Sequence, residues 1–130
     1  MHNLLLILIK SYEPEFEFQI EDASITYDLE LTVRHSSQYP YQNLFLTYFI
    51  ESNSGEVLNE QLYELGLFES KTGEPLGGGL GDIFDFVSVV ESGYTFPKAG
   101  SYKVKLEQFM RTDELSDVVA VGLRVSPTAD

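Results

Sequence analysis

Asp82 and Asp85 close a glycine-dense segment, Leu76-Gly-Gly-Gly-Leu-Gly-Asp-Ile-Phe-Asp85, and five of the chain's ten glycines fall between Gly73 and Asp85. Two carboxylates beside glycine carbonyls are the kind of oxygen donors that Ca²⁺ takes, although that ion needs six to eight. The same pair can equally end an exposed turn. Backbone amides of a Gly77–Gly81 loop could cradle an anion, but phosphate loops end in Gly-Lys-Ser/Thr and open a helix, and neither follows here. A tight turn or bulge that feeds Ile83, Phe84 and Phe86 into a core is the expectation for this segment.

His2 and His35 have no third ligand at a zinc-site spacing. His35, beside Arg34, is expected at a surface or turn. No serine stands in a Gly-x-Ser-x-Gly elbow, and among 21 acidic residues a pair such as Glu15 and Glu17 arises by chance. The residues therefore present no catalytic set, and a non-enzymatic protein is expected. Tyr39, Tyr41 and Tyr94 lie near loops, where they could stack on a sugar, anchor a protein partner, or plug the ends of a sheet structure. Arg111 sits beside Asp113 and Glu114, where it can fix a hairpin through a carboxylate or contact a partner.

These residues need elements to hold them. The chain has 130 residues, enough for one domain with a full core, and 43% of them are hydrophobic, including nine Phe and eight Tyr. With 21 acidic and 8 basic residues the formal charge is −13, which disfavours nucleic acid and anionic lipid surfaces and favours basic partners. There is no cysteine, hence no disulfide, thiolate site or Cys-linked lipid within these residues.

Period-two alternation runs through Phe16, Phe18 and Ile20, through Ile25 to Val33, and through Tyr102, Val104 and Leu106. Leu44 to Ile50 carries apolar groups on both faces, as a central strand covered on both sides would. Gln61 to Phe68 is read as a strand, because Gly66 disfavours the helical spacing of Leu58, Leu62 and Leu65. Glu91, Ser92 and Gly93 are expected to turn, Val118 to Val125 to form the last strand, and 126–130 to fray. Leu4 to Ile9 is too short to span a bilayer and is either a first strand or a signal remnant. Seven to eight short strands separated by Gly, Pro, Asn and Ser point to an all-β antiparallel sandwich, jelly-roll or immunoglobulin-like, as one domain over 1–130.

The strings Tyr39-Pro-Tyr-Gln-Asn-Leu44, Leu76 to Asp85, Glu107-Gln-Phe-Met-Arg-Thr-Asp113 and Val121-Gly-Leu-Arg-Val125, in this order, resemble the gliding motility lipoprotein family of the Bacteroidetes called GldH. The resemblance runs from about Phe16 to Val125. It implies a cell-envelope protein on the periplasmic side, associated with the outer membrane and with the gliding machinery and its coupled secretion system. It implies no active site and no cofactor. Partners would be other proteins of that machinery, and membrane attachment would run through an N-terminal lipid anchor that these residues, lacking Cys, do not carry. The alternative from the residues alone is a lectin-like module that uses Tyr39, Tyr41 and the glycine loop, with or without Ca²⁺.

Overall fold

The computed structural model describes residues 2–4, 7–9, 13–110 and 114–129. Arg111 lies outside the described residues. Eleven strands follow in chain order: β1 (His2–Leu4), β2 (Ile7–Ile9), β3 (Glu15–Ile20), β4 (Tyr27–Ser36), β5 (Asn43–Ser52), β6 (Val57–Gly66), β7 (Gly78–Leu80), β8 (Ile83–Tyr94), β9 (Gly100–Gln108), β10 (Glu114–Ser116) and β11 (Val118–Pro127). Seven of them are six residues or longer, in keeping with the expected number, and no helix occurs among the described residues.

One sheet has the order β1-β11-β4-β8-β7, the other β3-β9-β5-β6, and β10 pairs with β2 alone; every pairing is antiparallel. Side chains of both large sheets meet in a shared core that includes Phe16, Leu31, Tyr48, Ile50, Phe96 and Val121. This is an antiparallel sandwich. The alternation of β4 explains its place: Tyr27, Leu29, Leu31 and Val33 are buried while Asp28, Glu30, Thr32 and Arg34 face outward, as a strand with one wet face requires.

Several sequence expectations shift. Both ends of the Leu4 to Ile9 run pair as strand, with β1 on β11 and β2 on β10. Ile25 is exposed in a turn, because the Asp22 side chain accepts the Ser24 amide at 2.9 Å and holds the chain out of the ladder until Tyr27. Leu44, Leu46, Tyr48 and Ile50 are buried, but Phe45 and Phe49 on the opposite face of β5 have no second layer over them and remain partly exposed. Residues 126–129 are held rather than frayed: Ser126 and Pro127 pair with Asp28 and Tyr27, the Thr128 amide donates to the Thr26 carbonyl and its hydroxyl donates to Asp28 Oδ1.

Ser92 and Gly93 do not turn the chain. They form a bulge in β8, where Tyr27 pairs with Tyr94 and Leu29 with Glu91, so Asp28 faces two residues and its carboxylate accepts the Gly93 amide at 2.9 Å. Gly93 takes φ +70°, which a glycine adopts without strain. A second shift leaves Val90 as the extra residue between Val89 and Glu91. Simple alternation would put Glu91 outside with Val87 and Val89; the bulge turns it inward, opposite buried Leu29. There Tyr48 donates its hydroxyl to the Glu91 carboxylate, and Asn59 Nδ2 donates at 2.8 Å. Burial, then the bond to Glu91, pushes the Tyr48 phenol far above its usual range, so it stays a proton donor.

The glycine segment is a hairpin, with Gly78 to Leu80 paired to Ile83 to Asp85 and Gly81 at φ +65° in the turn. Phe84 and Phe86 are half-buried as expected, but Ile83 is exposed and Leu80, at 91%, stands in solvent. The requirement for glycine is specific by position. A Cβ on Gly79 would collide with the backbone of Ile83 and Phe84, and one on Gly77 with that of Asp85, whereas Gly78 has open space.

Gly79→Ala should cost about 1–3 kcal/mol through forced separation of the hairpin, while Gly78→Ala should stay within about 0.5 kcal/mol. Urea unfolding of both variants checks this contrast. Tyr48→Phe should lose about 1–2 kcal/mol by removing one donor from an inward-facing carboxylate, with an unchanged urea dependence.

Candidate functional site

An apolar hollow on the outer face of the β3-β9-β5-β6 sheet has a volume of about 480 Å³ and is lined by Tyr41, Phe45, Leu62, Phe109 and Met110. Each element delivers its side chain for a local reason. Phe45 points outward because its neighbours Leu44 and Leu46 point into the core. Leu62 faces the same way on β6, since Thr47 pairs with it and with Glu107 in one outward row. Buried Gln108 accepts the Met110 amide on Oε1 at 2.8 Å, a side-chain turn that ends β9. The following Phe109 amide donates to the Phe45 carbonyl at 2.7 Å, and the Phe109 ring is 57% exposed. Leu62 is 53% exposed and Tyr41 42%.

Tyr41 stands on a buried aromatic stack. Its ring meets Tyr39 edge to face at 5.9 Å, and Tyr39 lies parallel to Phe68 at 6.4 Å. The Tyr39 hydroxyl donates to the Asn43 carbonyl at 2.8 Å, and Leu67 and Phe68 donate their amides to the Gln42 carbonyl. Burial pushes the Tyr39 phenol strongly up. The loop 37–42 that carries Tyr41 is thereby fixed on both sides.

Behind the stack is His35, fully buried rather than at the surface expected for it. Its ring packs against Phe68 at 5.1 Å, Phe84 at 6.0 Å and Tyr39 at 6.1 Å. Nδ1 lies 3.1 Å from the Ser36 carbonyl, which can only accept, so the neutral ring carries its proton there. Nε2 is then a bare acceptor, and it has no hydrogen-bond partner among the described residues. Desolvation lowers the His35 pKa; the Ser36 bond and the Asp85 charge oppose this but do not outweigh it.

The other residues singled out in the sequence are dispersed. Tyr94 pairs with Tyr27 at the far end of β4 and packs edge to face on buried Phe96 at 4.8 Å, in a cluster with Phe18 and Tyr102. Asp85 holds Arg34 with two bonds of 2.7 and 3.0 Å on the outer face. Asp82 accepts the Ser37 amide on its backbone carbonyl and so ties the hairpin turn to the end of β4. Among the described residues no group of three or more His, Cys, Asp or Glu is placed to hold a metal ion, and no helix is long and apolar enough to cross a membrane.

Among the described residues, Tyr41 is the one sequence candidate that lines the hollow. Phe45, Leu62, Phe109 and Met110 had not been singled out, though Phe45 carried a signal as an aromatic on the wet side of a strand. For His35 the signal was parity, because it continues the inward series Leu29, Leu31, Val33. The Tyr39 to Leu44 string and the described part of the Glu107 string, up to Met110, are far apart in the chain and meet here.

The model of the GldH lipoprotein family matches residues 10–125. A "Gliding motility lipoprotein GldH homolog" from Christiangramia forsetii is 32% identical over 118 residues, which cover 85% of this chain and 71% of that protein. The "Gliding motility lipoprotein GldH" of Flavobacterium johnsoniae is 28% identical with the same coverage. Among solved structures, the VP2 subviral particle of infectious bursal disease virus is similar with a TM-score of 0.36 and 11% identity, covering 95% of this chain but only 31% of the viral one.

The buried imidazole makes stability depend on pH. Its folded pKa lies below the ordinary 6.5, so between the two values the unfolded chain binds more protons and stability drops as pH falls below about 6.5. The slope should not exceed about 1.4 kcal/mol per pH unit. It should vanish in His35→Leu, as urea unfolding from pH 7.5 to 5 would read out.

Proposed function

Because the chain belongs to the GldH lipoprotein family, we propose that it is a non-enzymatic accessory or assembly subunit of the gliding machinery and of the secretion system coupled to it. It works on the periplasmic side of the envelope, associated with the outer membrane, and holds another protein of that machinery. The observation that carries this reading is the hollow of Tyr41, Phe45, Leu62, Phe109 and Met110 on a rigid sheet face. Rigid exposed aromatics backed by a packed stack are the anchors that protein interfaces use, since they offer contact area at little entropic cost. Tyr39, the ring a sugar would have needed beside Tyr41, is buried, so the protein-binding reading is preferred to the lectin-like one.

The test is genetic. Deletion of the gene in the organism that encodes it should abolish colony spreading and reduce secretion by the coupled system. The wild-type gene should restore both, and a Leu62→Glu/Phe109→Ser variant of unchanged melting temperature should not. Normal spreading and secretion in the deletion strain would overturn the reading.

A further inference from the structure

β6 ends its sheet, and among the described residues Val57 to Gly66 has a strand partner on one side only. On the outer side, half of the backbone N–H and C=O groups of such a strand face away from the sheet. The other edge on this flank of the sandwich is occupied in part. Beyond the short pairing with β7, β8 has its Val90 and Val89 carbonyls 3.2 and 3.4 Å from the Tyr48 and Tyr63 hydroxyls.

Open edges are usually blunted by lysine, proline or a bulge that bends them away. The sequence Val57-Leu-Asn-Glu-Gln-Leu-Tyr-Glu-Leu-Gly66 contains no Lys, Arg or Pro, and its one register shift falls at Leu58, so Asn59 to Gly66 pairs without interruption. Its charges are Glu60 and Glu64, which flank exposed Leu62 on the outward face. In a chain of net charge −13 this edge repels a second copy of itself. It attracts a cationic strand by the same rule. Leu62 also lines the 480 Å³ hollow, so a strand laid along β6 has a place for an apolar side chain immediately beside it.

We infer that β6 is a docking edge that takes an extended protein segment of pattern basic-x-apolar-x-basic as an added strand, so that side chains on one face pair Glu60 and Glu64 with Lys or Arg and set the apolar anchor between them in the Phe45–Leu62–Phe109 hollow. The inference rests on the partner-holding reading above and assigns that partner its chemistry. Main-chain bonds along the edge supply affinity, and the charges and hollow supply choice of partner.

The test uses the purified 130-residue chain and three fluorescent peptides: Thr-Lys-Thr-Phe-Thr-Lys-Thr, which puts both Lys and the Phe on one face, its counterpart with Glu in place of Lys, and the basic peptide with alternate backbone nitrogens methylated. The basic peptide should bind at least about tenfold tighter than the acidic one, lose affinity with added salt, and slow amide exchange in residues 57–66. Methylation should remove both binding and protection. A Glu60→Lys/Glu64→Lys variant of unchanged melting temperature should reverse the preference between basic and acidic peptides. Equal binding of the methylated peptide, protection confined to other strands, or no binding would overturn the inference. These outcomes stand apart from the deletion phenotype, which decides the partner-holding reading by itself.

Discussion

The two large sheets are joined by side chains rather than by ladder bonds, and the seal along one flank is a set of polar contacts between β6, β5 and β8. Tyr48 and Asn59 reach across to the Glu91 carboxylate, and the Tyr63 hydroxyl lies 3.1 Å from the Ser88 hydroxyl. A carboxylate turned toward a core is costly unless its acceptors are satisfied, because desolvation of the charge outweighs most single contacts. Two donors from the opposite sheet meet that cost only when the sheets are in one alignment. The contact thus selects a relative placement of the sheets, which apolar packing, being non-directional, does not select as sharply.

That alignment decides what the outer face presents. With Tyr48 and Leu46 fixed inward, Phe45 has no choice but to face out, and the Gln108 turn then brings Phe109 and Met110 over it. The stack from His35 through Phe68 and Tyr39 to Tyr41 links the same surface to the buried end of β4. Packing at close-packed density leaves such a stack little freedom, which is why a surface hollow can keep a defined shape. His35 is the unusual member, a polar ring packed on aromatics, with one nitrogen unpaired among the described residues.

Charge is distributed unevenly over the sandwich. Lys103 and Lys105 sit among Glu13, Glu15 and Glu51 on one part of the outer β3-β9-β5-β6 face, and Lys105 also lies over the Phe49 ring at 5.1 Å. The more exposed Lys103–Glu15 pair contributes about 0–1 kcal/mol, and Lys105 also meets the buried Glu51 carboxylate; together the pairs neutralise that part of the face. The β6 side keeps Glu60 and Glu64, with Glu64 bonded to Asn43 at 2.7 Å. Two carboxylates of the chain's acidic excess therefore stand beside the apolar hollow.

Alternation in β3, β4 and β9 was legible in the sequence, because a side-chain period of two follows from backbone geometry alone and needs no knowledge of neighbours. The all-β class and the motifs that mark the family were legible for the same reason: each is a local string. The inward turn of Glu91 was not, since the bulges at Val90 and at Ser92-Gly93 exist only relative to the register of β4. Nor was the hollow, whose residues 41, 45, 62, 109 and 110 come from a loop, two strands and a strand end that only sheet pairing brings together. The sequence by itself determined which residues alternate and where the chain must turn; the tertiary structure decided which alternate face found a partner sheet, because burial is a property of the pairing and not of the strand.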